Sequence, residues 1–155
     1  MTRILFICHG NICRSPMAEF IFKDMIAKIG RSDEFYIASA ATSREEIGNP
    51  IHYGTAGVLD KLGISYSGKR AIQLEKSDYE KYDYLICMDE ANARNTLRIT
   101  GHDNDQKVYK LLEFTDSDAD VADPWYTENF DITKRNVTAG CKGLLEYIDN
   151  KSIKL

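Results

Sequence analysis

The apolar run at residues 4–7 (Ile-Leu-Phe-Ile) leads without a break into Cys8-His9-Gly10-Asn11-Ile12-Cys13-Arg14-Ser15-Pro16. No other stretch of the chain constrains the fold as tightly. An uninterrupted aliphatic and aromatic run predicts a strand, Gly-Asn predicts a turn, and Ser-Pro predicts the start of a helix. A strand, a short loop and a helix N-terminus in direct succession suit a phosphate-sized anion. Successive backbone N–H groups and the positive end of the helix converge on one point there.

The same alternation continues along the chain. Apolar runs at 35–40, 84–88 and 108–112 predict three further strands. Met17, Phe20, Ile21, Met25 and Ile29 fall at helical spacing ahead of Gly30, a helix opened by Pro50 runs to Leu62 and is ended by Gly63, and another lies near 90–98. Val137, Cys141, Leu144, Leu145 and Ile148 form one stripe of a last helix. Strands alternating with helices predict an α/β protein with a mostly parallel sheet, its ligand loops at the carboxyl ends of the strands. The 155 residues suit a single domain over 1–155. The longest irregular stretch, 113–130, is acidic and aromatic, and a segment of that kind in a compact domain is usually functional.

Composition narrows the chemistry. Lys and Arg total 20 against 24 Asp and Glu, a net charge of −4 with no basic run, which argues against nucleic acid as a partner. A phosphate ligand must therefore be held by a local site. No segment reaches the roughly 18 apolar residues of a membrane helix. The 4 cysteines (8, 13, 87 and 141) are too few for a disulfide scaffold and lack the paired spacing of a zinc site, so a cytoplasmic protein without metal or cofactor is expected. Asp116, Asp118 and Asp120 imitate the opening of a calcium loop, but the glycine after Asp120 is missing and Thr127 stands where the bidentate Glu belongs.

Cys8 is the candidate nucleophile, because a helix N-terminus and a nearby cation favour the thiolate of a cysteine. Arg14 offers a planar fork that matches two phosphate oxygens. Gly10 is expected to give the backbone its freedom to turn, Asn11 to hold the turn, and the Ser15 hydroxyl to donate to the sulfur; Ile12 and Cys13 complete the loop. His9 is a chain neighbour of Cys8, and neighbours point apart, so it belongs to the rim. The absence of Gly-Lys-Ser/Thr excludes a nucleotide-binding loop of the Walker type.

Cys8-x-Gly10-Asn11-Ile12-Cys13-Arg14-Ser15-Pro16 after an N-terminal strand resembles the low-molecular-weight protein tyrosine phosphatase family. Ala41-Thr42-Ser43 through Glu46-Ile47-Gly48-Asn49-Pro50, Ile86-Cys87-Met88-Asp89-Glu90-Ala91-Asn92 and Asp123-Pro124-Trp125-Tyr126 follow in the order and spacing of that family. The resemblance implies a flavodoxin-like three-layer α/β/α domain with a four-stranded parallel sheet of order 2-1-3-4. It implies hydrolysis of phosphotyrosine in proteins or peptides, and of small aryl phosphates, through a cysteinyl-phosphate, with inorganic phosphate as product and inhibitor. A phenolate leaves with a pKa near 10 and so needs a proton donor. The matching residue is Asp123, beside Pro124. Trp125 and Tyr126 match one wall of the substrate cleft. Glu45 stands on the other, where many members carry an aromatic residue. Cys13 matches the redox partner of the nucleophile, and Asp89 and Asn92 serve either to brace the site or to cap a helix. The rival of the same fold is a thiol-dependent arsenate reductase. That enzyme requires further resolving cysteines on a mobile segment, whereas Cys87 lies in an expected buried strand and only Cys141 follows.

Overall fold

The computed structural model describes residues 1–153. In chain order the elements are β1 (Thr2–Cys8), α1 (Arg14–Lys28), β2 (Phe35–Ala41), α2 (Tyr53–Lys61), α3 (Asp78–Lys81), β3 (Tyr84–Cys87), α4 (Glu90–Thr100), β4 (Val108–Lys110), α5 (Pro124–Thr127) and α6 (Phe130–Ile153). The strands form one parallel sheet in the order β2-β1-β3-β4, the expected topology. Because successive side chains of a strand point to opposite faces, β1 feeds two cores at once. Ile4, Phe6 and Cys8 join α1 and α6 through Met17, Phe22, Val137, Cys141 and Leu144, while Leu5 and Ile7 join Tyr79, Leu85 and Cys87 on the other face. Among the described residues no helix is long and apolar enough to cross a membrane.

Several boundaries differ from the sequence expectation, each for a local reason. Helix α1 begins at Arg14 rather than at Ser15-Pro16. Pro16 is thus its third residue, still within the first turn, whose N–H groups have no partner inside the helix, so the missing donor costs nothing. Helix α2 begins at Tyr53 rather than at Pro50, because the His52 ring nitrogen accepts from the Gly54 N–H and caps it. Strand β4 stops at Lys110, and Leu111–Phe114 form a 3₁₀ turn that packs under α6. Gly143 of α6 permits that approach: a Cβ there would lie 2.1 Å from the Phe114 carbonyl oxygen. Strand β1 lies at the centre with α1 rising from its carboxyl end. The connections after β1, β2, β3 and β4 therefore meet at one edge of the sheet.

Candidate active site

Cys8 is the last residue of β1 and is almost wholly buried. Its sulfur receives the backbone N–H of Asn11 at 3.2 Å and lies 3.0 Å from Ser15 Oγ. The turn between them is made at Asn11, with φ +58°, and not at Gly10, which has no positive φ. Asn is the side chain that best tolerates the left-handed region, since its amide can bond locally. Gly10 serves instead by its lack of a side chain: a Cβ there would sit 3.3 Å from Glu46 Cγ, so the 42–50 connection lies directly on the loop.

The fully buried Asn11 carboxamide decides the polarity of the site. Its Oδ1 accepts from the Ile72 N–H at 3.1 Å, a backbone donor that fixes which end of the amide is which. Nδ2 therefore faces Ser15 Oγ at 2.8 Å and Ser39 Oγ at 2.9 Å, and it can only donate. Both serine oxygens accept, which leaves the Ser15 hydrogen for the sulfur of Cys8. A donor aimed at sulfur favours the thiolate. Helix α1 starts at the same spot with no side-chain cap on its N-terminus, so its positive end is left to the loop.

Arg14, the first residue of α1, is 3% exposed. One nitrogen, Nη1, donates to Asp89 Oδ2 at 2.7 Å and to the Val121 carbonyl at 3.3 Å, while Nη2 lies 3.5 Å from Asp123 Oδ2. Burial works against its charge, but Cys8, Asp89 and Asp123 outweigh that and hold the guanidinium above its ordinary pKa. Asp89 has two tasks at once. It clamps Arg14, and it caps α4 through a reciprocal pair with Asn92, whose Oδ1 takes the N–H groups of Met88 and Asp89.

Asp123 caps the short helix α5, accepting from the Trp125 N–H at 3.0 Å. The segment leading to it is pinned by Val121 N–H to Met88 O, Ala122 N–H to Asn136 Oδ1, and Thr133 Oγ1 to Ala122 O. Trp125 and Tyr126 follow at 73% and 83% exposure, so neither belongs to the core. Glu45 reaches the rim through its carboxylate, 3.0 Å from His9 Nε2. Cys13 is half-buried, and burial, with the charges of Cys8 and Asp123, pushes its thiol up to about 12. Of the acidic triplet, Asp120 is otherwise engaged: its Oδ1 accepts from the Glu90 N–H and from Lys110, which also donates to the Asp118 backbone carbonyl.

Cys8, Asn11, Arg14, Ser15, Asp89 and Asp123 are thus brought together from the end of β1, the loop after it, the start of α1, the cap of α4 and the 113–130 segment. Ser39, Ile72 and Thr55, whose hydroxyl holds the Cys13 carbonyl at 3.2 Å, also support the loop and were not anticipated. For Ser39 a signal existed, a serine at an inward position of an apolar strand.

This constellation has known counterparts. The family model described as low molecular weight phosphotyrosine protein phosphatase matches residues 3–154. A low molecular weight protein-tyrosine-phosphatase of Bacillus subtilis, YfkJ, is 42% identical over 153 residues, covering 97% of this chain and 98% of the relative. The chain belongs to the low molecular weight phosphotyrosine protein phosphatase family. The family's PtpA of Staphylococcus epidermidis is 40% identical over 149 residues, covering 96% of this chain and 94% of its own. The crystal structure of YfkJ superposes with a TM-score of 0.93, covering 97% of this chain and 96% of that one. The low molecular weight protein tyrosine phosphatase of Streptococcus pyogenes superposes at 0.85, with 40% identity, 95% of this chain covered and 93% of that one.

Proposed function

We propose that the protein hydrolyses phosphotyrosine in protein or peptide substrates, and small aryl phosphates, in two displacements. The observation that carries this reading is the convergence of the Cys8 sulfur, its Ser15 and Asn11 donors, the buried Arg14 and the Asp123 carboxylate. In the first step the Cys8 thiolate attacks phosphorus while Arg14 and the loop amides hold the equatorial oxygens. The entering phosphoryl dianion takes Arg14 Nη2 from Asp123, and its own charge favours the protonated carboxyl. Asp123 gives that proton to the tyrosine oxygen as the P–O bond breaks, leaving a cysteinyl-phosphate. In the second step Asp123 takes a proton from water, the water oxygen attacks phosphorus, and the S–P bond breaks to return the thiolate and release inorganic phosphate. The phosphate fits the same cradle and acts as an inhibitor.

Trp125 and Tyr126 form one wall of the entrance and stack on the substrate ring. Glu45, tethered to His9, forms the other, so this rim offers a carboxylate where an aromatic would stack. His9, Gly10, Ile12 and Cys13 complete the phosphate loop, and Cys13 is the redox partner of Cys8. The reading treats the chain as one domain working in a reducing cytoplasm. The arsenate reductase alternative is disfavoured, since Cys87 and Cys141 are wholly buried in the two cores.

The test is a kinetic comparison of phosphotyrosine, phosphoserine and arsenate (the last with thioredoxin) on the wild-type protein and on Cys8→Ser. Turnover of phosphotyrosine alone, lost in Cys8→Ser, is the expected outcome. Normal aryl phosphate hydrolysis by Cys8→Ser would sink the assignment.

A further inference from the structure

The hydrogen-bond chain that ends on the Cys8 sulfur also has another end, which the two-step chemistry does not use. Ser39, the second acceptor of Asn11, passes its own hydroxyl hydrogen to Glu19 Oε1 at 2.5 Å. Glu19 lies on α1 yet is only 4% exposed, and a buried carboxylate stays ionised only with partners. It has two. Lys23 reaches Oε2 from one turn along α1, and its side chain is 43% exposed. Lys69, from the connection between α2 and α3, lies 3.6 Å from Oε1 with its side chain only 10% exposed. The Lys69 ammonium also donates to the Ser39 carbonyl at 3.0 Å, so it grips both the backbone and the partner of the same serine.

We propose that Lys69 is a positioning residue for the nucleophile. With Glu19 it forms a buried ion pair that fixes the direction of the Ser39–Asn11–Ser15 hydrogen bonds, and it lends the Cys8 thiolate a second positive charge beside Arg14. An ionised carboxylate is acceptor-only, so Ser39 must turn its hydrogen to Glu19 and its lone pair to Asn11. A neutral Glu19 carries a proton of its own, which competes with Asn11 for that lone pair. Burial pushes the Lys69 ammonium below its usual range, Glu19 pushes it back, Lys23 opposes it, and Cys8 supports it. Arg14 and Cys13 also interact with the sulfur, and Asp89 and Asp123 bear on Arg14. Lys69 and Arg14 therefore act on Cys8 from different elements, and losing one does not displace the other.

The inference rests on the phosphatase reading, and its main readout does not depend on turnover. That readout is the rate at which neutral iodoacetamide alkylates Cys8 at pH 6, followed by peptide mapping. It is set beside kcat and KM for an aryl phosphate in the wild type, Lys69→Met, Lys69→Arg and the double variant Glu19→Gln/Lys69→Met. Lys69→Met is expected to slow alkylation and lower kcat by about tenfold with KM within about twofold, and Lys69→Arg to restore most of both. The double variant leaves no unpaired buried carboxylate. It is expected to melt near the wild-type temperature and to stay slow, which separates lost positioning from lost folding. Wild-type alkylation rates in Lys69→Met and the double variant would overturn the proposal. A wild-type protein with fast Cys8 alkylation but no phosphatase turnover would refute the phosphatase reading and leave the role of Lys69 standing.

Discussion

Replacing Asn11 tests the central claim about the loop, because two separate costs are read from one position. Its side chain makes three hydrogen bonds, buried ones to Ser15 and Ser39 and a part-buried one from the Ile72 N–H. At about 1 kcal/mol each, their loss costs about 3 kcal/mol. Its backbone is left-handed, which costs an alanine about 1–2 kcal/mol and a glycine almost nothing. Glycine in turn gains freedom in the unfolded chain, which offsets about 0.4–1 kcal/mol of that advantage. Asn11→Gly is therefore expected to lose about 3 kcal/mol and Asn11→Ala roughly 0.5–1 kcal/mol more. Urea unfolding followed by fluorescence measures both: with a slope of about 2 kcal/mol/M, the glycine variant shifts its midpoint by about 1.5 M. Alanine as stable as glycine would refute the backbone argument. Both variants within about 1 kcal/mol of the wild type would refute the hydrogen-bond argument.

Asp123→Ala is expected to lower kcat for phosphotyrosine by about 10²-fold or more while sparing aryl phosphates whose leaving group needs no proton. Equal losses across leaving groups would count against its role as acid. Glu45→Tyr is expected to raise kcat/KM about fivefold for phosphopeptides with acidic neighbours relative to basic ones, and an unchanged ratio would exclude a role in selectivity. Gly143→Ala sets a Cβ 2.1 Å from the Phe114 carbonyl and is expected to lower thermal stability by about 1–3 kcal/mol, against the gain that alanine normally brings to a helix. Cys13, with its thiol pushed up to about 12, stays protonated through neutral pH, so iodoacetamide at pH 8 should label Cys8 far faster than Cys13. After mild peroxide, peptide mapping should find the two joined; a sulfinic acid at Cys8 beside a free Cys13 would remove Cys13 as a redox partner.

The strands and the loop were legible in the sequence because each has a local signature, whereas the strand order and the matching of Asp123 came only with the family resemblance. A continuous apolar run marks a strand, as in Ile4–Ile7, and the Gly-Asn and Ser-Pro pairs mark the turn and helix that follow. Legibility failed where the deciding partner is remote. The late start of α2 depends on His52, whose side chain caps the helix and whose backbone N–H is tied to the Ile12 carbonyl. The short β4 depends on the 3₁₀ turn seated against Gly140 and Gly143 of α6. Ser39 is marked only as a serine at an inward strand position, and nothing near Lys69 in sequence announces that it supports a loop so far from it along the chain. Gly10 shows the opposite error: glycine suggests a turn, but the left-handed residue is its neighbour, and Gly10 is needed for room.

Three anchors of the loop lie especially far from it along the chain. Asn11 and its Ile72 donor are 61 residues apart, Arg14 and Asp89 are 75 apart, and Arg14 and the Val121 carbonyl are 107 apart. Residues of β2 and α2 already hold the loop, but Arg14 lacks its partners until β3 has joined β1 and the 113–130 segment has reached Met88. Contacts of such separation form late in folding, after the entropy of closing long stretches of chain has been met. A chain folded only through β2 presents its thiol without the arginine clamp and without the acid. The chemistry therefore needs the last connection in place, since the Val121 carbonyl and Asp123 both lie on it.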